Sequence, residues 1–219
     1  WKGGRTKVGA ETAASHTASL AGSDAIWDAA LKQANAVRVD SIEELADMFV
    51  ALENLRQFEG KGIAIVIGGA LDAGGGGASV VAADTCISLG LDVPPFADET
   101  RSQLESLLPE AGSILRNPLD ASQIAGNTEI VSKMLAAVVA DPRVDLVMID
   151  EDVDIALGSM SMQEGQAKND IYISLRENQQ KPVVLVLSSS KACLERIEIE
   201  SKFLAEGIPV YPTIGRAAK

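Results

Sequence analysis

The stretch Ile63-Ala64-Ile65-Val66-Ile67-Gly68-Gly69-Ala70-Leu71-Asp72-Ala73-Gly74-Gly75-Gly76-Gly77-Ala78-Ser79 decides the fold. Its first five residues are a continuous apolar run rich in β-branched side chains, as expected of a strand buried on both faces. The glycines that follow read as a loop over Gly68–Gly77, and a helix is expected from about Ala78 to Leu89. Working downstream, Leu91–Val93 reads as a short strand, and Asp98 caps a helix running to about Leu108. Asn127 caps another helix to about Ala140, and Val144–Ile149 is the next buried strand. A polar helix from about Gln163 to Glu177 leads to the strand Val183–Leu187. The amphipathic segment Lys191–Ala205 stops at Gly207, and Ile208-Pro209-Val210-Tyr211 reads as a terminal strand whose proline favours an edge. Strands separated by helices imply βαβ units, hence an open α/β domain of five parallel strands over 60–219 with helices on both faces.

Upstream of this domain the pattern changes. Residues 5–23 are small and polar without a hydrophobic period and read as a long loop. Ser23 is placed to cap a helix carrying Ile26, Trp27, Ala30, Leu31 and Ala34, after which Val37–Val39 reads as a strand. Ser41-Ile42-Glu43-Glu44 has the capping-box pattern and opens a helix with the apolar stripe Leu45, Met48, Phe49, Leu52 and Leu55. A boundary is expected near Glu59–Gly62. The opening Trp1-Lys2-Gly3-Gly4-Arg5 reads as the exit of a strand into a glycine turn, so the chain is expected to be a piece of a longer protein.

Composition excludes several classes. The chain has 219 residues, 47% of them hydrophobic and 23% charged, which suits a packed domain and not a disordered one. A net charge of −12 lacks the basic footprint of a nucleic-acid binder, so any anion has to be held by local devices. Cys86 and Cys193 have no metal-ligand spacing and read as small core residues in a reducing compartment. No apolar run is long enough to span a bilayer, and a soluble, cytoplasmic protein is expected.

Four places carry candidate chemistry. His16, the single histidine, lies in the small-residue segment, where it reads as a base, a nucleophile or a metal ligand, or as a solvent-exposed loop residue. Gly75, Gly76, Gly77, Ala78 and Ser79 follow a buried strand and precede a helix, so their N–H groups can cradle a phosphate or simply form a tight turn. The pattern is neither a dinucleotide fingerprint nor a Walker A loop. Asn117-Pro118-Leu119-Asp120 has a turn signature. Asp150-Glu151-Asp152-Val153-Asp154 follows a strand end, where four carboxylates could take Mg²⁺ or form a solvated loop.

Taken together, Lys2-Gly3-Gly4-Arg5-Thr6, the stretch Ala13-Ala14-Ser15-His16-Thr17-Ala18-Ser19-Leu20-Ala21-Gly22-Ser23, the glycine-rich turn, Asn117-Pro118-Leu119-Asp120 and Gly207-Ile208-Pro209-Val210-Tyr211 resemble an internal piece of the NDP-forming acyl-CoA synthetases, relatives of succinyl-CoA synthetase. The resemblance implies a flavodoxin-like domain over 60–219, preceded over 1–58 by the C-terminal part of a second flavodoxin-like CoA-ligase domain. It implies a relay in which acyl-CoA and phosphate give an acyl phosphate, His16 takes the phosphoryl group, and the phosphohistidine passes it to ADP. Gly75–Ser79 would then cradle the phosphoryl group, with Ser15, Thr17, Asn117 and Asp120 in support. CoA and ADP or ATP with Mg²⁺ would be held mostly by a CoA-binding domain and an ATP-grasp domain outside these residues, so the chain alone is not expected to turn over, and an oligomer is expected. The related module fused to protein lysine acetyltransferases supplies the alternative, a non-catalytic ligand-sensing domain.

Overall fold

The computed structural model describes residues 2–17, 22–55, 59–68, 75–108, 115–120, 124, 126–178 and 181–219. The chain divides into two compact units, Trp1–Phe49 and Val50–Lys219.

The first unit is helical among its described residues: α1 (Lys7–Thr17), α2 (Asp24–Gln33) and the greater part of α3 (Ile42–Asn54). α1 corrects the expectation of a loop over 5–23. An exposed helix needs no hydrophobic period when its residues are intrinsic helix formers, and Ala10, Ala13 and Ala14 supply that propensity. Thr6 Oγ1 accepts the Gly9 N–H at 3.1 Å, satisfying one of the orphan amides at its start. The hydroxyls of Thr12 and Ser15 bond back to Val8 O at 2.9 Å and Thr12 O at 2.7 Å. Val37–Val39 carries no strand. Val39 is the buried apolar residue of this unit among those described.

Several ion pairs link its described residues. Arg38 bonds Asp24 at 2.6 Å and also Asp28; Arg5 reaches Asp40 and, at 3.5 Å, Asp24; Lys2 lies 3.7 Å from Asp24. The Arg38 hydrogen bond holds the Asp24 carboxyl below its usual range. Ser23 precedes α2 without a side-chain cap bond. The capping box of α3 is present, with Ser41 Oγ accepting the Glu44 N–H at 3.1 Å and Glu44 accepting from Asp40 N at 2.7 Å. Its apolar stripe is not a buried one, since Phe49 and Leu52 are exposed.

The second unit is built on a five-stranded sheet in the order β2-β1-β3-β4-β5. Its strands are β1 (Ile63–Ile67), β2 (Leu119–Asp120), β3 (Leu146–Asp152), β4 (Val183–Ser188) and β5 (Val210–Tyr211), and every pairing is parallel. Leu91–Val93, expected as a strand, contributes only an isolated bridge between Gly62 and Asp92. The fifth strand is β2, inside the segment read as a turn.

Around the sheet run α4 (Gly75–Ser88), α5 (Asp98–Leu107), α6 (Thr128–Ala140), α7 (Val153–Ser159), α8 (Met162–Asn178), α9 (Cys193–Ala205) and α10 (Ile214–Ala217). Successive strand side chains point to opposite faces, and both faces carry a buried core. Ala64 and Val66 join Leu104, Met134, Val147, Ile149, Leu185 and Phe203 in one core. Ile63, Ile65 and Ile67 join Ala82, Cys86, Met148, Val184 and Tyr211 in the other. Burial lifts the Cys86 thiol to about 11, as suits a core residue. Cys193, also expected in the core, is exposed at the start of α9.

Because β1 runs next to β2 on one side and β3 on the other, the chain reverses its direction of progress between β1 and β3. Open α/β sheets bind ligands at the carboxyl ends of the strands at such a point.

Candidate functional site

His16 lies in the last turn of α1 with its side chain exposed. Its neighbour Ser15 spends its hydroxyl on Thr12 O. Residues 18–21, and the side chain of Thr17, lie outside the described residues, as do residues 69–74 with Gly74 of the glycine run.

In the second unit, Gly75, Gly76, Gly77, Ala78 and Ser79 belong to α4 and not to a turn before it. Their place makes them the source of the helix's orphan amides, since the first N–H groups of an α-helix have no intrahelical acceptor. Among the described residues, none beyond the neighbouring backbone comes within 4 Å of where a Cβ on Gly76 or Gly77 would stand. Neither has a positive φ. Glycine in a helix disfavours it by roughly 1 kcal/mol against alanine, so packing gives no reason for these residues. Bare backbone lets a ligand approach the amides closely. Ser79 is buried behind them.

Asn117 and Asp120 occupy different positions at the edge of β1. Asn117 Oδ1 accepts the Ile65 N–H at 2.9 Å, and its Nδ2 donates to Ile63 O at 2.6 Å and Pro94 O at 3.0 Å. Asp120 is buried and pairs in register with Ile67, which places it at the carboxyl end of β1.

The acidic run 150–154 is not a solvated loop. Asp150, Glu151 and Asp152 complete β3, and Asp154 lies in the first turn of α7, where Asp152 caps Ile155 N at 3.1 Å. Glu151 is buried; its Oε2 stands 2.8 Å from Lys168 Nζ, and its Oε1 accepts the Tyr172 hydroxyl. Burial first, and the Glu151 charge second, push the Tyr172 phenol well above its usual range. Burial, with the charges of Glu151 and Asp152, raises the Asp150 carboxyl to about 6. Asp154 has the opposite fate. The amides of Ala192 and Ser190, the Ser189 hydroxyl and the Lys191 amide all donate to it, holding it at about 2.

The pairing of Glu151 with α8 was missed in the sequence, where the one signal was that Lys168 and Tyr172 share a helix face at i, i+4. Among the described residues no cluster of three or more His, Cys, Asp or Glu could hold a metal ion. No helix of the described residues is long and apolar enough to cross a membrane.

A family model for a succinyl-CoA ligase like flavodoxin domain matches residues 1–52. The alpha subunit of ADP-forming acetate–CoA ligase I from Pyrococcus furiosus is 30% identical over 222 residues, which cover 100% of this chain and 44% of the relative. An ADP-forming acetate–CoA ligase from Methanocaldococcus jannaschii is 37% identical over 119 residues, 54% of this chain and 16% of the relative. Among solved structures, the apo form of acetyl-coenzyme A synthetase 1 from Ca. Korarchaeum cryptofilum, titled as dinucleotide forming, aligns with a TM-score of 0.76 and 25% identity, over 98% of this chain and 43% of that one. The chain thus spans less than half the length of these relatives. With a parallel sheet in flavodoxin-like order and relatives that follow the sequence from end to end, the chain belongs to the superfamily of NDP-forming CoA ligases.

Proposed function

We propose that the chain is part of an ADP-forming acyl-CoA synthetase, an acid–thiol ligase, in which His16 carries a phosphoryl group and the first amides of α4 bind one. The observation that carries this reading is that no described residue crowds the Cβ positions of Gly76 and Gly77, because helix-start glycines that packing does not require leave the amides accessible to an oxyanion. A molecule of net charge −12 needs such a device to hold phosphate.

The chemistry balances as three transfers. A phosphate oxygen attacks the thioester carbonyl of acyl-CoA, the C–S bond breaks, and CoA leaves as the thiolate. A ring nitrogen of His16 then attacks phosphorus of the acyl phosphate, the P–O bond to the acyl group breaks, and the carboxylate departs. Finally an oxygen of the ADP β-phosphate attacks phosphorus, the P–N bond breaks, and ATP forms with the imidazole regenerated. Amides of Gly75–Ser79 stabilise the charge on the phosphoryl oxygens, with Ser15 and Thr17 beside the histidine and Asn117 and Asp120 supporting the strand from which the glycine run departs. In this reading residues 1–58 are the C-terminal part of one CoA-ligase flavodoxin-like domain and 60–219 a second. CoA and the nucleotide with Mg²⁺ are assigned to CoA-binding and ATP-grasp domains.

The test is intact-mass spectrometry at alkaline pH, where phosphohistidine survives, on the full-length protein after incubation with ATP and Mg²⁺. The expected result is one phosphate on the peptide containing Ser15-His16-Thr17, abolished by His16→Ala. Absence of phosphate overturns the relay and favours the ligand-sensing alternative.

A further inference from the structure

We infer that the cavity between β1, α6 and α8 is a binding site for one buried water molecule, held as the hydrogen-bond acceptor of Lys168. The cavity measures about 10 Å³ and is bounded by Val66 and Gly68 at the carboxyl end of β1, by Val131 and Met134 of α6, and by Lys168 and Tyr172 of α8. That is the room a single water needs.

Lys168 is 3% exposed. Its Nζ stands 2.8 Å from Glu151 Oε2 as an ion pair, yet the nitrogen makes no hydrogen bond to any described residue. An ammonium group carries three N–H donors and no acceptor, and donors left unpaired in the interior are penalised unless a polar atom reaches them. The side chains of Val66, Val131 and Met134 are apolar and offer no oxygen. Tyr172 does offer one: its hydroxyl donates to Glu151 Oε1, and the phenolic oxygen keeps lone pairs with which to accept. A water that accepts from Lys168 Nζ and donates to the Tyr172 oxygen has the two polar partners that such a site requires.

Glycine at position 68 agrees with this. A Cβ there would stand 2.7 Å from Glu151 Oε1 and 3.3 Å from the Tyr172 oxygen, so a side chain would press on the oxygen to which the water donates. Charge selects water over an ion, because Glu151, itself 5% exposed, already balances the Lys168 ammonium. The water thereby completes a polar group of Glu151, Lys168 and Tyr172 that is otherwise enclosed by apolar side chains of α6 and β1.

The experiment is a crystal structure of the full-length protein at a resolution that shows ordered waters, together with Tm for Val131→Ile, for Lys168→Met and for the two combined. The expected structure has one peak of density within hydrogen-bond distance of Lys168 Nζ and the Tyr172 oxygen. Val131→Ile adds a methylene to the cavity wall, so it is expected to displace the water and lower Tm, and to lower it less beside Lys168→Met, which has no ammonium to orphan. A cavity without density, with Nζ bonded to protein atoms alone, overturns the inference. So does a Val131→Ile variant that raises Tm, as filling a dry void does, or that lowers it equally in both backgrounds, as overpacking does. Should Lys168→Met fail to fold, the density and the sign of the Val131→Ile effect still decide.

Discussion

Asn117 stands beside Ile65 as a strand residue would, its amide oxygen taking the Ile65 N–H at 2.9 Å while its nitrogen gives to Ile63 O at 2.6 Å. β2 begins at Leu119, opposite Val66, so one side chain completes the edge of β1 where the partner strand has not begun. An unpaired amide or carbonyl in this part-buried place would be penalised by about 1–3 kcal/mol. The terminal amide of asparagine, with one acceptor and two donors, mimics a peptide group.

Asn117→Ala is therefore expected to destabilise the protein by about 2–4 kcal/mol through the orphaned Ile65 N–H and Ile63 C=O. Asn117→Asp removes the donors alone and should fall between. Urea unfolding monitored by circular dichroism measures both.

Gly76→Ala should separate stability from binding. With no described residue crowding its Cβ position, the alanine is expected to raise helix stability by roughly 0.5–1 kcal/mol, seen as a higher Tm. The same methyl group stands over the amides, and phosphate affinity is expected to drop about tenfold.

Asp150 gives a pH dependence of defined sign. Its carboxyl titrates near 6 in the fold, against 3.8 for its ordinary value, so the folded state binds the proton more tightly than the unfolded chain. Its contribution to stability is full below 3.8 and is lost as pH rises through about 6. Asp150→Asn should leave Tm near pH 4 little changed and raise it at pH 7–8 by an amount on the order of 2 kcal/mol in stability. Thermal melts across that range decide it.

Asp154 behaves in reverse. Held at about 2 by its donors, it stabilises the fold above 3.8, and that contribution disappears as pH falls through about 2. Asp154→Asn should lower Tm at neutral pH, and the gap between variant and wild type should close on acidification.

The parallel architecture was legible in the sequence because apolar runs such as Ile63–Ile67 and Val183–Leu187 can hardly be anything but doubly buried strands. What escaped has identifiable causes. α1 is exposed, so its alanines supply helix propensity without the hydrophobic period that marks a packed helix. β2 is hidden in Asn117-Pro118-Leu119-Asp120, whose local chemistry speaks of a turn while its pairing with Val66 and Ile67 is a matter of distant residues. The acidic run looked solvated because the group that neutralises Glu151 is Lys168, on a later helix. At the candidate site, the glycines were visible from spacing, but that no described residue crowds Gly76 and Gly77 needed the fold.

The two-residue lengths of β2 and β5, which bound the sheet, bear on how copies of this domain can meet. A sheet is extended by another chain only where it offers a row of free backbone donors and acceptors. Among the described residues these edge strands are short, and the border at β1 is occupied at Ile63 and Ile65 by the side chain of Asn117. Edge strands this short favour association through side-chain packing between helices over strand addition, the route by which longer open borders invite fibrils.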